Sequence, residues 1–290
     1  VEPFAGSLAV LLGRPSEPRT EPQTETINDA DGFVVNFWRA VRADAEAVAG
    51  WCDWPVSELD LTARHLWLIE RREAMTRRLE ADPDYCDPKI AGWWVWGISA
   101  WIGSGWCSGS GPWVRTEVGV TKNGAGTGVN RQLPYLSCAG MGVHRIGSVA
   151  DELRALSARL RRCRITSGDW SRVVTTAPLR AGGGTCGVFL DPPYPEGFDP
   201  DGTYGTGCDA DKIWRDVCDW ARMAGEDRKL RIVVAGYEGT WDPPAGWTAR
   251  QWNPRHGYAK DTTNNRRERL WCSPGCVPVA APSLFCIVAP

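Results

Sequence analysis

The stretch Gly187-Val188-Phe189-Leu190-Asp191-Pro192-Pro193-Tyr194 decides how this chain reads. A short apolar strand delivers an acid to the carboxyl edge of a sheet, the edge at which open α/β sheets bind ligands. Two prolines fix the backbone there and remove two N–H donors. An aromatic ring follows. The set suits a planar amine: Asp191 and the Pro192 carbonyl accept its two N–H bonds, and Tyr194 stacks on its face. The same residues also fit a proline-rich turn whose tyrosine covers the core.

Upstream, Val1 to Leu12 reads as a strand end, a small-residue turn and a helix start. In Glu2-Pro3-Phe4-Ala5-Gly6-Ser7 the glycine and small side chains let a nucleotide-like ligand approach the backbone. An ordinary strand–helix turn has the same look. Glu25 to Asn28 is a second short strand, ending at Asn28-Asp29. A carboxylate at that point accepts ribose hydroxyls in dinucleotide folds, or caps the next helix. Gly168-Asp169 faces an adenine ring or closes a turn.

Helices are expected over Asp31–Val41, Leu59–Leu79, Ser148–Cys163 and Asp209–Ala224 from apolar spacing. In the last of these Ile213, Val217, Trp220 and Ala224 are expected inward. Strands are expected at Arg164–Ser167, Val188–Leu190, Leu230–Ala235 and Arg269–Cys272. Strands alternating with helices imply a doubly wound α/β sheet. Asp44 to Arg145 breaks the alternation: a long helix, a tryptophan-rich stretch at Ile90–Ile102, then a structureless Gly/Ser tract from Gly103 to Gly128. It reads as an inserted domain. Gly124, Gly126 and Gly128 imitate a dinucleotide fingerprint, but no clear strand is expected before them and no helix after.

Composition bounds the rest. The chain has 290 residues, 43% hydrophobic and 23% charged, which is ordinary for a folded protein of one or two domains. A net charge of −2 leaves any nucleic-acid role to local clusters. One cluster runs from Arg145 to Arg172; another holds Arg266, Arg267 and Arg269. Each is a phosphate-contacting surface or a solvated face. His144 beside Arg145 either meets a phosphate or serves a turn. Eleven scattered cysteines and three histidines offer no CxxC spacing, so no metal site is expected and reduced thiols in a cytoplasm are. No apolar run reaches the ~20 residues of a membrane span.

Taken in order, VEPFAGS at 1–7, NDADGFVVNFWRAV at 28–41, GMGVHR at 140–145, GDW at 168–170, FLDPPY at 189–194 and NNRRERLW at 264–271 resemble the adenine-specific DNA methyltransferases, a family with Dam-like and phage members, some from restriction-modification systems. The resemblance frames both ends of the chain and is weakest over the insert. It implies a Rossmann-like, S-adenosylmethionine-dependent methyltransferase fold with an inserted, mostly helical target-recognition domain. The catalytic domain would be 1–43 and 146–276, the insert 44–145 and a C-terminal tail 277–290. The first motif starts at Val1, and the Lys-Trp-x-Gly-Gly-Lys-like segment of the family has no counterpart, so an upstream segment is expected.

By the same resemblance Asp191, Pro192, Pro193 and Tyr194 would be catalytic. Glu2, Pro3, Phe4, Ala5, Gly6, Asn28, Asp29 and Asp169 would bind the cofactor. His144, Arg145, Arg266 and Arg267 would meet double-stranded DNA. The implied reaction is methyl transfer from S-adenosylmethionine to the N6 amine of a flipped adenine, by a monomer in the cytoplasm, the host's if phage-encoded. RNA and protein-amide methyltransferases carry a similar motif led by Asn, and an inactive DNA-binding remnant is a third reading.

Overall fold

The structure is a computed structural model and describes residues 1–14, 24–101, 106–107, 113–116, 119–122, 149–195, 209–252 and 267–277. In chain order the elements are α1 (Ala9–Leu12), β1 (Glu25–Asp29), α2 (Gly32–Ala43), α3 (Ala45–Cys52), α4 (Glu58–Ala81), α5 (Pro88–Ala100), β2 (Trp113–Thr116) and β3 (Gly119–Lys122). They continue with α6 (Val149–Leu160), β4 (Cys163–Ser167), a 3-10 turn at Trp170–Val173, α7 (Thr176–Arg180) and β5 (Cys186–Leu190). The last are α8 (Ala210–Ala224), β6 (Leu230–Tyr237), β7 (Thr248–Gln251) and β8 (Glu268–Cys272). The chain is a mixed α/β protein with two compact units, Val1–Asn28 with Trp170–Pro290, and Asp29–Asp169.

The first unit is built on a sheet into which the first two residues are inserted. Val1 donates to the Gly187 carbonyl at 2.7 Å and accepts from Phe189 N–H at 3.0 Å, which seats it beside β5. Glu2 donates to Thr26 and accepts from Asn28, both at 2.9 Å, in a parallel bridge to β1. Beyond β5 come β6 in parallel, then β8 and β7, each antiparallel to its neighbour. The order is therefore β1, Val1–Glu2, β5, β6, β8, β7. The chain leaves Val1–Glu2 towards β1 on one side and returns to β5 on the other, so the direction of winding reverses at Val1–Glu2.

One face of that sheet packs on α8. Val188, Leu190, Ile232, Val234 and Trp271 meet Trp214, Val217, Cys218 and Ala221. Val217 is buried as expected, and Ile213, Trp220 and Ala224 pack half-buried against the same core, but Trp214 and Cys218 are buried too, which turns the inward face of α8 from the expected one. The reason is Trp214, whose ring lies so close to Gly236 that a Cβ there would sit 2.3 Å from it. Its indole N–H donates to the Thr240 carbonyl at 3.1 Å. The largest side chain sets the helix's rotation where the sheet offers it a glycine.

The second unit is mostly helical, and its caps are written in the sequence. Asp31, Asp44, Ser57 and Asp87 accept from backbone N–H groups at the starts of α2, α3, α4 and α5. The buried Asn36 amide donates to the Asp87 carbonyl and accepts from Asp87 N–H, locking α2 to the entry of α5. Leu61, Leu68, Met75 and Leu79 are buried along α4 as their spacing predicts. α2 and α6 belong to the same compact unit as α3, α4 and α5. Apolar faces of α2 and α6 are covered by those helices, α2 against α5 and α6 against α3.

The Gly/Ser tract is not structureless. β2 and β3 form an antiparallel hairpin with Trp113 opposite Lys122 and Thr116 opposite Gly119. A strand therefore precedes Gly124, against expectation, but as the second arm of a hairpin and not as the start of a strand–helix unit. The alternation in WVRT and GVTK is only four residues long on each side, too short to stand out against flanking glycines. Residues 123–148, which include His144 and Arg145, and Arg266 lie outside the described residues. No described helix is long and apolar enough to cross a membrane.

Candidate functional site

The turn after Val1–Glu2 is held from below. Asn28, fully buried at the end of β1, donates from Nδ2 to the Pro3 carbonyl at 3.2 Å, and its own carbonyl accepts from Ala5 N–H at 2.9 Å. Asn28 thus shapes the turn and has no surface to offer a ligand. Phe4 stacks on Trp170, with ring centroids 6.0 Å apart. Gly6 has φ +46, a conformation that L side chains rarely adopt, and nothing lies within 4 Å of where its Cβ would be. The glycine is needed for its backbone angle, and the space beside it is open enough for a bulky ligand to approach. Glu2 and Pro3 are buried under the turn; Gly6 and Ser7 are exposed.

This turn stands at the carboxyl end of Val1–Glu2, where the winding reverses. In open α/β sheets that is the place where ligands bind. The neighbouring strand β5 ends beside it, and Asp191-Pro192-Pro193-Tyr194 follows directly. Pro192 is buried, Pro193 and Tyr194 are half-buried and Asp191 is exposed. Surrounding protein nevertheless pushes the Asp191 carboxyl up to about 6, while a hydrogen bond from the Tyr194 hydroxyl pulls it partly back.

The Tyr194 ring packs against Tyr237 at the end of β6, with centroids 4.6 Å apart, and edge-on to Trp214 at 6.3 Å. The Arg267 guanidinium sits over Tyr237, 5.8 Å from its centroid. Beside it Glu268 opens β8, opposite Tyr237. Burial, and then the charge of Asp191, push the Glu268 carboxyl up to about 7. Arg269 donates to Glu238 at 2.6 Å. Glu268 and Tyr237 went unread in the sequence. NNRRERLW drew attention to its arginines, and the glutamate among them gains meaning only when β8 is laid against β6.

Asp29 and Asp169 belong to the second unit. Asp29 Oδ1 accepts from Asp31 N–H at 2.8 Å, and its carbonyl accepts from Gly168 N–H at 3.0 Å. The cap of α2 is Asp31 rather than Asp29, so capping does not account for Asp29. Asp169 is exposed and follows Gly168, whose φ is +119. Among the described residues no three His, Cys, Asp or Glu side chains converge as a metal site requires.

A cavity of about 400 Å³ lies elsewhere, lined by Met223, Glu226, Pro244, Trp247 and Pro274 among others. It sits where α8 ends and β6 begins, at the opposite edge of the sheet from Asp191, and does not belong to this site. Compared with known proteins, the chain matches no family model and no curated protein.

Proposed function

We propose that this chain is an S-adenosylmethionine-dependent methyltransferase that modifies the N6 amine of adenine in DNA. The observation that carries the reading is the placement of Phe4–Gly6 and of Asp191–Tyr194 at the carboxyl ends of adjacent parallel strands, where the winding of the sheet reverses. A sulfonium-activated methyl group supplies the electrophile, so the protein need only bind, orient and handle a proton. The open Gly6 turn takes the methyl donor. Asp191 and the Pro192 carbonyl accept from the acceptor amine, and Tyr194 stacks on its ring. Alignment of two bound reactants is worth ~7–11 kcal/mol in effective molarity. The leading aspartate and the large helical unit favour DNA over RNA or a protein amide. A Rossmann-like methyltransferase fold, phosphate contacts by Arg267, a monomeric state and a cytoplasmic location belong to the same reading.

Calorimetry with S-adenosylmethionine, together with sequencing of modified bases in DNA from cells expressing the chain, tests it. Saturable binding and N6-methyladenine at a defined sequence are expected. Absence of binding removes the methyltransferase reading, and methylation confined to RNA or protein removes the DNA substrate. Asp29 remains the ribose ligand of the proposal. Asp29→Ala is expected to weaken the methyl donor by the ~1.5–3 kcal/mol of a charged hydrogen bond. An unchanged dissociation constant would take Asp29 out of the site.

A further inference from the structure

The helical unit carries a row in which cations alternate with aromatic rings. Arg71 lies on Trp67, its guanidinium carbon 3.9 Å from the ring centroid. Lys89 Nζ is 4.8 Å from the Trp67 ring and 4.4 Å from that of Trp93. The Arg64 guanidinium follows, 4.9 Å from Trp93, 4.0 Å from Trp96 and 5.9 Å from the exposed Trp54. Further along α4, Arg78 lies 4.2 Å from the Tyr85 ring. Arg64, Arg71 and Arg78 recur every seven residues, so they share one face of α4 at intervals of ~10 Å.

A ring under a cation holds it in place but does not neutralise it. Among the described residues Arg64, Arg78 and Lys89 are in no ion pair. Arg71 meets Glu70 at 3.7 Å, between two exposed side chains, a pairing that water and salt weaken. Arg64 is 8% exposed and its Nη1 has no hydrogen-bond partner. Burial lowers its proton affinity, and Asp60 one turn earlier opposes this through charge alone. Buried polar groups are ordinarily paired. Positive charge without counter-charge thus lines one face of α4, in a chain whose net charge is −2.

We propose that this face of α4, with Lys89 at the start of α5, holds the phosphate backbone of duplex DNA. The proposal rests on the reading that DNA is the substrate and adds the surface that would hold it. Each ring of the row already carries a cation, so the row offers charge rather than free ring faces for unpaired bases. Cations spaced along a rigid helix suit a backbone with a fixed path, which a duplex has and a flexible strand lacks. A guanidinium laid on a ring has less freedom to lose when a phosphate meets it. Arg71, Arg78 and Lys89 reach solvent and make the contacts. Arg64, buried beside Trp54, adds its charge to theirs. Such contacts position the duplex and leave its sequence to be read elsewhere.

The test follows a short labelled DNA duplex by fluorescence anisotropy over a range of NaCl concentrations, with thermal unfolding of every variant. Each phosphate contact contributes ~0.9 to the slope of log affinity against log salt. R71Q/K89Q should therefore flatten the slope by about 1.8 and weaken binding at least tenfold at low salt. R71K keeps the charge and should keep the slope. R77Q, on another face of α4 and paired with Glu73, should also leave it unchanged. In the parent chain, which needs no substitution, bound duplex should protect Lys89 from acylation by acetic anhydride. The proposal is overturned by an unchanged slope in a folded R71Q/K89Q, by R77Q losing as much as R71Q, or by Lys89 acylated equally with and without DNA. Tighter binding of an RNA duplex of the same sequence overturns it too. A parent that binds DNA through this face but transfers no methyl group removes the methyltransferase reading and leaves the docking surface standing. Methyl transfer with an unchanged slope in R71Q/K89Q does the reverse.

Discussion

Replacing Asp191 by alanine is expected to reduce methyl transfer by at least ~10²-fold, the cost of removing one group aimed at developing charge, and to make the folded chain more resistant to heat at pH 8. The two effects share a cause. Surrounding protein pushes the Asp191 carboxyl up to about 6, against a hydrogen bond from Tyr194 that pulls it partly back. In the unfolded chain an aspartate ionises near pH ~4. The folded state therefore binds the proton more tightly, and stability falls as pH rises from the unfolded value through the folded one. Above about pH 6 the ionised carboxyl stays at a disadvantage, and alanine removes it. At pH 4 both states of the parent are largely protonated and the variant gains little. Thermal unfolding of parent and variant at pH 4 and pH 8, with turnover at pH 8, checks both parts. Turnover within tenfold of the parent would end the assignment of Asp191, and an equal melting difference at both pH values would end the electrostatic account. Binding of the methyl donor should be nearly unchanged, since the proposal sets the carboxyl against the acceptor.

What could be read without coordinates was whatever is local in the chain. GVFLDPPY announces a strand, a stop and a rigid turn within eight residues, and the structure ends β5 at Leu190 with the motif directly after it. VEPFAGS likewise contains its own strand end and its positive-φ glycine. Capping residues such as Ser57 and Asp87 sit next to the helices they start. Asn28 shows the limit of this. Its neighbourhood marks it as part of the site, but whether its amide meets a ligand or the backbone depends on Pro3, twenty-five positions away in sequence.

Elements whose identity depends on a distant partner were the ones missed. β7 is exposed at all four positions, so TARQ has no alternation to betray it; it exists because β8 offers a free edge. The face that α8 buries was set by one glycine on β6 that accommodates Trp214. Glu268 is the sharpest case. In the sequence it is one acid among arginines, and only the pairing of β8 with β6 sets it opposite Tyr237. Acids with displaced proton affinities gather where chemistry is done, and that displacement comes from burial and neighbours that a linear pattern does not contain.

The second large effect is expected in the helical unit, which should lose up to about 3 kcal/mol of stability between pH 6.5 and pH 4 because of one histidine. His65 on α4 is 1% exposed, with its ring stacked on Trp101 at 4.8 Å and tilted against Trp106 at 5.3 Å. Its Nδ1 accepts from the Cys107 N–H at 3.2 Å, and the Cys107 carbonyl accepts from Arg72 at 3.1 Å. A ring that accepts at Nδ1 is neutral, and burial holds its proton affinity down, to a pKa of about 4. The unfolded chain takes up a proton near pH ~6.5. The folded state binds fewer protons across that interval, so its stability is full above the unfolded value and drains away as pH falls through 6.5 towards 4. Protonation would also put a donor where Cys107 N–H already donates, and so detach the segment that carries Trp106. His65→Asn keeps an acceptor near Nδ1 but does not titrate. That variant should be weaker than the parent at pH 7.5, by the ~0.5–1.5 kcal/mol of lost ring packing, and should close or reverse the gap at pH 4.5. Urea titrations at the two pH values, followed by tryptophan fluorescence, measure it. A gap that stays constant would mean that His65 remains uncharged in both states or charged in both, and that other groups carry the acid limb.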